Sequence, residues 1–283
     1  MRRVTARGFE VFEQAVVQAS APNPLARAGP MIAVVSGSGG CGKTFLAANL
    51  AHHLHDPSTR RTCIIDLDLQ FGEVASVLRL QPRHTLADLV AACEAGDDPA
   101  DILEAYTEVT STGIHVLAGP TRLEAGDGIK ATDIAAVLDA ALKRFDYVIV
   151  DTPARLTEGA HVALERADQI FALATLDNPS IRNLHILLSV LDRFEVPSDR
   201  IRLVLNKVEP GVGIEVAQVR RHFPQGFSIV IPYGREVTRS VNHGAPVLAV
   251  EPGARVSKTL AGALARELPV CGVARTWRWG RRL

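Results

Sequence analysis

Seven short apolar runs, at residues 32–35, 63–66, 114–117, 147–150, 170–173, 201–205 and 227–231, constrain the fold more than any other feature of the chain. Most lack the alternation expected of a strand with one wet face, which is the pattern of strands covered on both sides. Segments of helical periodicity lie between them, as at 131–143 and 180–194. Strands that alternate with helices imply crossover connections and a mainly parallel sheet. The expectation is an α/β fold, a mostly parallel twisted sheet with helices on both faces, in three layers. Ligands of such sheets sit beyond the carboxyl ends of the strands, so functional residues should follow the runs directly.

Composition narrows the classes. The 283 residues suit one large domain, placed here at 31–268. Before it, Phe9, Phe12 and Val16 recur at helical spacing and are followed by Pro22, Pro24 and Pro30, so 1–30 reads as a helix and linker, either the tail of a longer architecture or a docking arm, without visible chemistry. Thirty-one basic residues against 31 acidic ones argue against coating nucleic acid by bulk charge, though not against a local patch. No run approaches the roughly 18 apolar residues needed to cross a bilayer. The start lacks a signal peptide's layout, and the cysteines at 41, 63, 93 and 271 have no metal-like or disulfide-like spacing, so a cytoplasmic location is expected.

Directly after the first run stands Gly37-Ser38-Gly39-Gly40-Cys41-Gly42-Lys43-Thr44, leading into the helical stretch that starts at Phe45. This is a G-x-x-x-x-G-K-[ST] loop between a strand and a helix. Glycines let successive amides turn inward around phosphate oxygens, and the helix start adds partial positive charge. Lys43 is expected to reach the β- and γ-phosphates and the Thr44 hydroxyl to ligate magnesium. The competing reading is a glycine-rich turn that happens to precede Lys-Thr.

Phosphoryl transfer also needs carboxylates to hold magnesium and orient water. Asp66 and Asp68 end the second run, two residues apart and so on one side of an extended chain. Asp151 ends the fourth run, ahead of Thr152-Pro153-Ala154. Each alone could be a strand-end acid capping the next helix. Three at strand ends of one nucleotide fold favour the magnesium role.

With these residues in place the chain resembles the MinD/ParA group of P-loop ATPases over about residues 31–268. The resemblance is carried by the Gly-Gly-x-Gly-Lys-Thr loop, Asp66-x-Asp68, Asp151-Thr-Pro-Ala, Leu205-Asn206-Lys207, and the block from Ile231-Pro232 to Pro246. Within the group, the stretch from Asp66 to Val74 and the Arg83-His-Thr-Leu-Ala-Asp-Leu segment look most like the pilus-assembly branch called CpaE or TadZ. The resemblance implies a SIMIBI-type P-loop fold, ATP and Mg2+ as cofactors, a homodimer, and pilus or secretion assembly proteins as partners. It assigns Asp68 to the attacking water, Asp66 to the magnesium and switch region, and Asp151 to magnesium through water. Asn206, with Lys207 and Pro232 nearby, is assigned to the adenine. Alternatives are a nucleotide-holding scaffold with little turnover, or an ATPase that positions a septum or DNA.

One departure bears on turnover. The group carries a second lysine early in the loop, which crosses to the partner's phosphates, and this chain has Ser38 there. A serine supplies no mobile cation, so slow hydrolysis or weaker coupling of dimerisation to ATP is expected. Arg155 is either a substitute for that cation or an ordinary surface arginine. Residues 269–283 form a basic tail with Trp277 and Trp279, read as a peripheral membrane contact, a protein-docking segment or a self-packed end. The His52, His53 and His55 cluster reads as a solvated helix end, and Arg220-Arg221-His222 as a solvated helix face with a nucleic-acid patch as the alternative.

Overall fold

Along β1 (Met31–Ser36) the side chains alternate between two apolar layers. Met31, Ala33 and Val35 enter one, and Ile32 and Val34 the other, all at 1% exposure or less. A strand buried on both faces needs this uninterrupted apolar run. The same holds for β2 (Thr62–Asp66), β5 (Tyr147–Asp151) and β6 (Gln169–Thr175). The structure, a computed structural model, describes residues 29–268 except 212. The proposed arm before residue 29 and the tail at 269–283 lie outside the described residues.

With β3 (Glu108–Val109), β4 (His115–Leu117), β7 (Ile201–Val208) and β8 (Ile229–Pro232), these strands form one eight-stranded sheet in the order β3-β4-β2-β5-β1-β6-β7-β8. Every neighbouring pair is parallel except β3 with β4. The seven runs read from the sequence correspond to β1, β2 and β4 to β8, with the last strand starting two residues later than expected.

Helices cover both faces, as expected. One layer holds α1 (Lys43–Leu54), which is buried almost all round, as a helix apolar on every side must be. The other holds α2 (Leu86–Glu94), α3 (Ala131–Arg144), α4 (Glu158–Arg166) and α5 (Asn178–Arg193). The last major helix, α6 (Arg255–Glu267), joins the α1 layer through Val256, Leu260 and Leu264. Asn49 ties that layer together, its Nδ2 donating to the Phe45 carbonyl at 2.8 Å and its Oδ1 accepting from Leu248 N at 3.1 Å. At the amino ends of the strands, Pro30, Tyr147 and Gln169 share a small crevice with Leu54 and Leu268. No helix among the described residues is long and apolar enough to cross a membrane.

The histidines at the end of α1 correct one expectation. They are half-buried rather than solvated, and His53 Nε2 lies 3.3 Å from the Leu268 carbonyl oxygen. Burial lowers the pKa of both His52 and His53, so a proton there is less welcome in the folded than in the unfolded chain. Stability from these groups is complete above the ordinary histidine range and is lost as pH falls through it. Calorimetric melts of wild type and a His52→Gln/His53→Gln variant should therefore diverge between about pH 7 and about pH 5, with the wild type falling more steeply. Parallel curves would refute this. By contrast, Arg220, Arg221 and His222 are exposed, as a solvated face requires.

Candidate nucleotide site

Three strand ends meet at one level of the sheet. The register pairs Val34 of β1 with Asp151, and Asp66 of β2 with Asp151 across β5. Side chains paired on adjacent strands share a face, which sets Asp66 beside Asp151. Both are buried, at 1% and 3% exposure. Burial raises the pKa of each. The neighbouring Asp66 raises that of Asp151 further, while the Thr44 hydroxyl and the Lys43 ammonium pull it back. Adjacent buried carboxyls of this kind call for a counter-cation.

The remaining valences fit magnesium. Thr44 Oγ1 donates to Asp151 Oδ2 at 2.6 Å, whereas Asp151 Oδ1 is buried without a partner. A hydroxyl beside a carboxylate with a spare oxygen is a hard-oxygen donor set. Magnesium takes one or two protein oxygens of this type and keeps several waters.

The turn after β2 fixes the other acids. Asp66 Oδ1 accepts from Asp68 N at 3.1 Å and Oδ2 from Val74 N at 3.0 Å, so its carboxylate closes the segment on itself. Gly72 permits this, because a Cβ there would stand 2.8 Å from Asp66 Oδ2. Asp68 Oδ1 accepts from Gln70 N at 3.3 Å and Phe71 N at 3.0 Å, which sets the carboxylate's orientation. Asp68 and Arg155 line one cavity of about 660 Å³ with Phe71, Ile129, Lys130 and Pro153. Arg155 is exposed there.

The loop itself turns through two left-handed glycines, Gly40 at φ 71° and Gly42 at φ 93°, before α1 begins at Lys43. From the end of β7, Asn206 Nδ2 donates to the Cys41 carbonyl and Lys207 Nζ to the Gly40 carbonyl, each at 2.8 Å. Lys207 itself adopts φ 54°, with its amide donating to Asn206 Oδ1 at 2.9 Å. Asn206 therefore keeps one amide hydrogen and one lone pair for anything else it meets. Two residues on from Asn206, Val208 pairs with Pro232, and both line a separate cavity of about 330 Å³ with Tyr233 and Arg255. Phe45 has its ring in the apolar layer at 8% exposure, which leaves its free helix-start amide as its contribution to the loop.

Gly42 is the most constrained residue of the loop. A Cβ there would lie 2.4 Å from Asn206 Nδ2, on a backbone that L side chains seldom adopt. Gly42→Ala should cost about 1–3 kcal/mol in denaturant melts and weaken nucleotide binding as the Asn206 brace is displaced. Unchanged stability would count against that packing.

On its other side the loop meets residues that the sequence reading did not single out. Cys41, at 1% exposure, has its Sγ 3.4 Å from Ser180 Oγ, and Ser38 meets Asn183, both on α5. Nothing local marks Ser180 or Asn183, since they approach the loop only through the β1–β6 pairing.

Comparison with known proteins bears directly on this arrangement. Residues 32–247 match the family described as the CobQ/CobB/MinD/ParA nucleotide binding domain. The chain belongs to this family. Among its relatives, the septum site-determining protein MinD of Thermotoga maritima is 26% identical over 252 residues, covering 87% of this chain and 90% of that protein. A ParA family ATPase of Chlorobium tepidum superposes with a TM-score of 0.75 at 26% identity, covering 84% of this chain and 99% of that one. The fold is shared by MinD of Pyrococcus horikoshii, solved with Mg-ADP, at a TM-score of 0.73 and 20% identity over 86% of this chain and 98% of that one. This CobQ/CobB/MinD/ParA member is thus a P-loop nucleotide-binding protein of the MinD/ParA ATPase type.

Proposed function

We propose that the protein is a slow, Mg-ATP-dependent dimeric switch that positions or assembles a multiprotein apparatus. The observation that carries this reading is the gathering of Lys43, Thr44, Asp66 and Asp151 at adjoining strand ends, with an orphaned carboxylate oxygen where a cation fits. Bound Mg-ATP supplies the reactive terminal phosphorus and a divalent charge. The amides of Gly37, Ser38, Gly39, Gly40, Cys41 and Gly42 and the helix start donate to phosphate oxygens, and Lys43 adds the full positive charge. Thr44 and Asp151 would hold the metal, Thr44 through its hydroxyl oxygen and Asp151 through water. Asp66 belongs to the same metal and switch region and fixes the turn that carries Asp68, which orients the attacking water. Asn206 braces the loop and offers its spare hydrogen and lone pair to the adenine edge, with Lys207 and Pro232 beside it.

Dimerisation gated by ATP is the part most open to test. Light scattering with ATP, ADP or no nucleotide, each with magnesium, should give a doubled mass only with ATP in a variant that cannot hydrolyse it. A mass indifferent to nucleotide would overturn the switch.

Two processes compete for the role. The stretch from Asp66 to Val74 favours pilus or secretion assembly of the CpaE/TadZ kind. The MinD relatives favour septum placement. Capture of secretion-ATPase or pilin components, as against division proteins, by wild type but not by a Lys43→Ala bait separates them. The tail at 269–283 belongs to this proposal as a membrane contact, tested by vesicle co-sedimentation with and without it.

A further inference from the structure

Two residues of α5, one helical turn apart and on one side of it, touch the phosphate loop: Ser180 at Cys41 and Asn183 at Ser38. Gly37 makes the approach possible. A Cβ at that position would stand 2.5 Å from the Asn183 carbonyl oxygen and 3.0 Å from its Cβ. Across this contact, 145 residues apart in the chain, Asn183 Nδ2 donates to Ser38 Oγ at 2.8 Å. The Ser38 main chain is held as well, its carbonyl accepting from Ser36 Oγ at 2.6 Å.

The polarity of that hydrogen bond matters. A carboxamide nitrogen can only donate, and a serine hydroxyl has one proton and two lone pairs. With Asn183 donating, Ser38 serves as acceptor on that side and keeps its proton. No acceptor for the proton is present among the described residues. Ser38 is half-buried in the loop, between the half-buried Gly37 and the exposed Gly39, so its hydroxyl is not sealed off from a ligand at the loop.

We propose that Asn183 is a positioning residue, which orients the Ser38 hydroxyl as a hydrogen-bond donor to the bound triphosphate. The inference rests on the phosphate-loop reading given above. Ser38 is then a neutral donor within the loop, and the first turns of α5 set its direction.

The test is Mg-ATP affinity by calorimetry for wild type, Ser38→Ala, Asn183→Ala, Asn183→Asp, Ser38→Ala/Asn183→Ala and Lys43→Ala, with nucleotide-free melts as the folding control. Ser38→Ala should weaken binding by about three- to tenfold, the value of one hydrogen bond. Asn183→Asp should weaken it by about tenfold or more, because its carboxylate accepts the Ser38 hydroxyl's hydrogen bond and sets a negative charge beside the loop. Once Ser38 is alanine, Asn183→Ala should change affinity by less than about twofold, the signature of a coupled pair. If Asn183→Asp fails to fold, that alanine cycle still decides. Effects of Ser38→Ala and Asn183→Ala that multiply, or a folded Asn183→Asp variant that binds like wild type, would overturn the proposal. Loss of binding in Lys43→Ala alongside an indifferent Asn183→Asp defeats only this inference. A wild type without affinity for Mg-ATP defeats the phosphate-loop reading as well.

Discussion

Asp68→Ala is expected to lower ATP turnover by a factor of about 10² to 10⁴, the usual worth of a positioned proton acceptor. Mg-ATP affinity should stay within about threefold of wild type, because the bonds that Asp66 accepts from Asp68 N and Val74 N, and the Thr44–Asp151 bond, do not run through the Asp68 carboxylate. The reason lies in the turn after β2. Gln70 and Phe71 amides hold Asp68 by one oxygen, so its loss removes a water-orienting group without disturbing the Asp66 clasp on Val74. Phosphate release measured under saturating ATP, alongside equilibrium binding, checks both halves. Retained turnover would remove Asp68 from the mechanism and leave water activation to another group.

Lys43→Ala should act in the opposite register. Nucleotide affinity is expected to fall by about a hundredfold, the upper range for a hydrogen bond that carries a full charge. The loop's main-chain donors remain, but the triphosphate loses its ammonium partner, and Asp151 loses a nearby positive charge. Titration with Mg-ATP provides the measurement, and a variant that binds as tightly as wild type would refute the role. Because affinity falls here and turnover falls in Asp68→Ala, the two variants distinguish a gripping residue from a reacting one.

Much of this was legible in the residues, and the rest was hidden for identifiable reasons. The apolar runs announce β1, β2 and β4 to β8 because both faces of each strand are covered. The two-residue β3 escapes notice since a short antiparallel edge needs no such pattern, and it exists only through pairing with β4. Helix α5 starts two residues earlier than its periodicity suggested. Asp177, whose side chain accepts from Ser180 N, and Pro179 in the first turn were the available signals. The loop, Asp66, Asp68 and Asp151 could be read because their spacing is local to strand ends. What holds the loop could not be. Asn183 and Lys207 reach Ser38 and Gly40 across well over a hundred residues of chain. The left-handed backbone of Lys207 also goes against its residue type.

The crevice shared by Pro30 and Leu268 carries a consequence for how the molecule can be handled. Both borders of the described body emerge side by side at the pole where the strands begin, while the glycine loop occupies the pole where they end. An attachment made at Pro30 or at Leu268 therefore lies at the opposite end of the sheet from the mouth for nucleotide. Immobilised protein should bind Mg-ATP as freely as protein in solution.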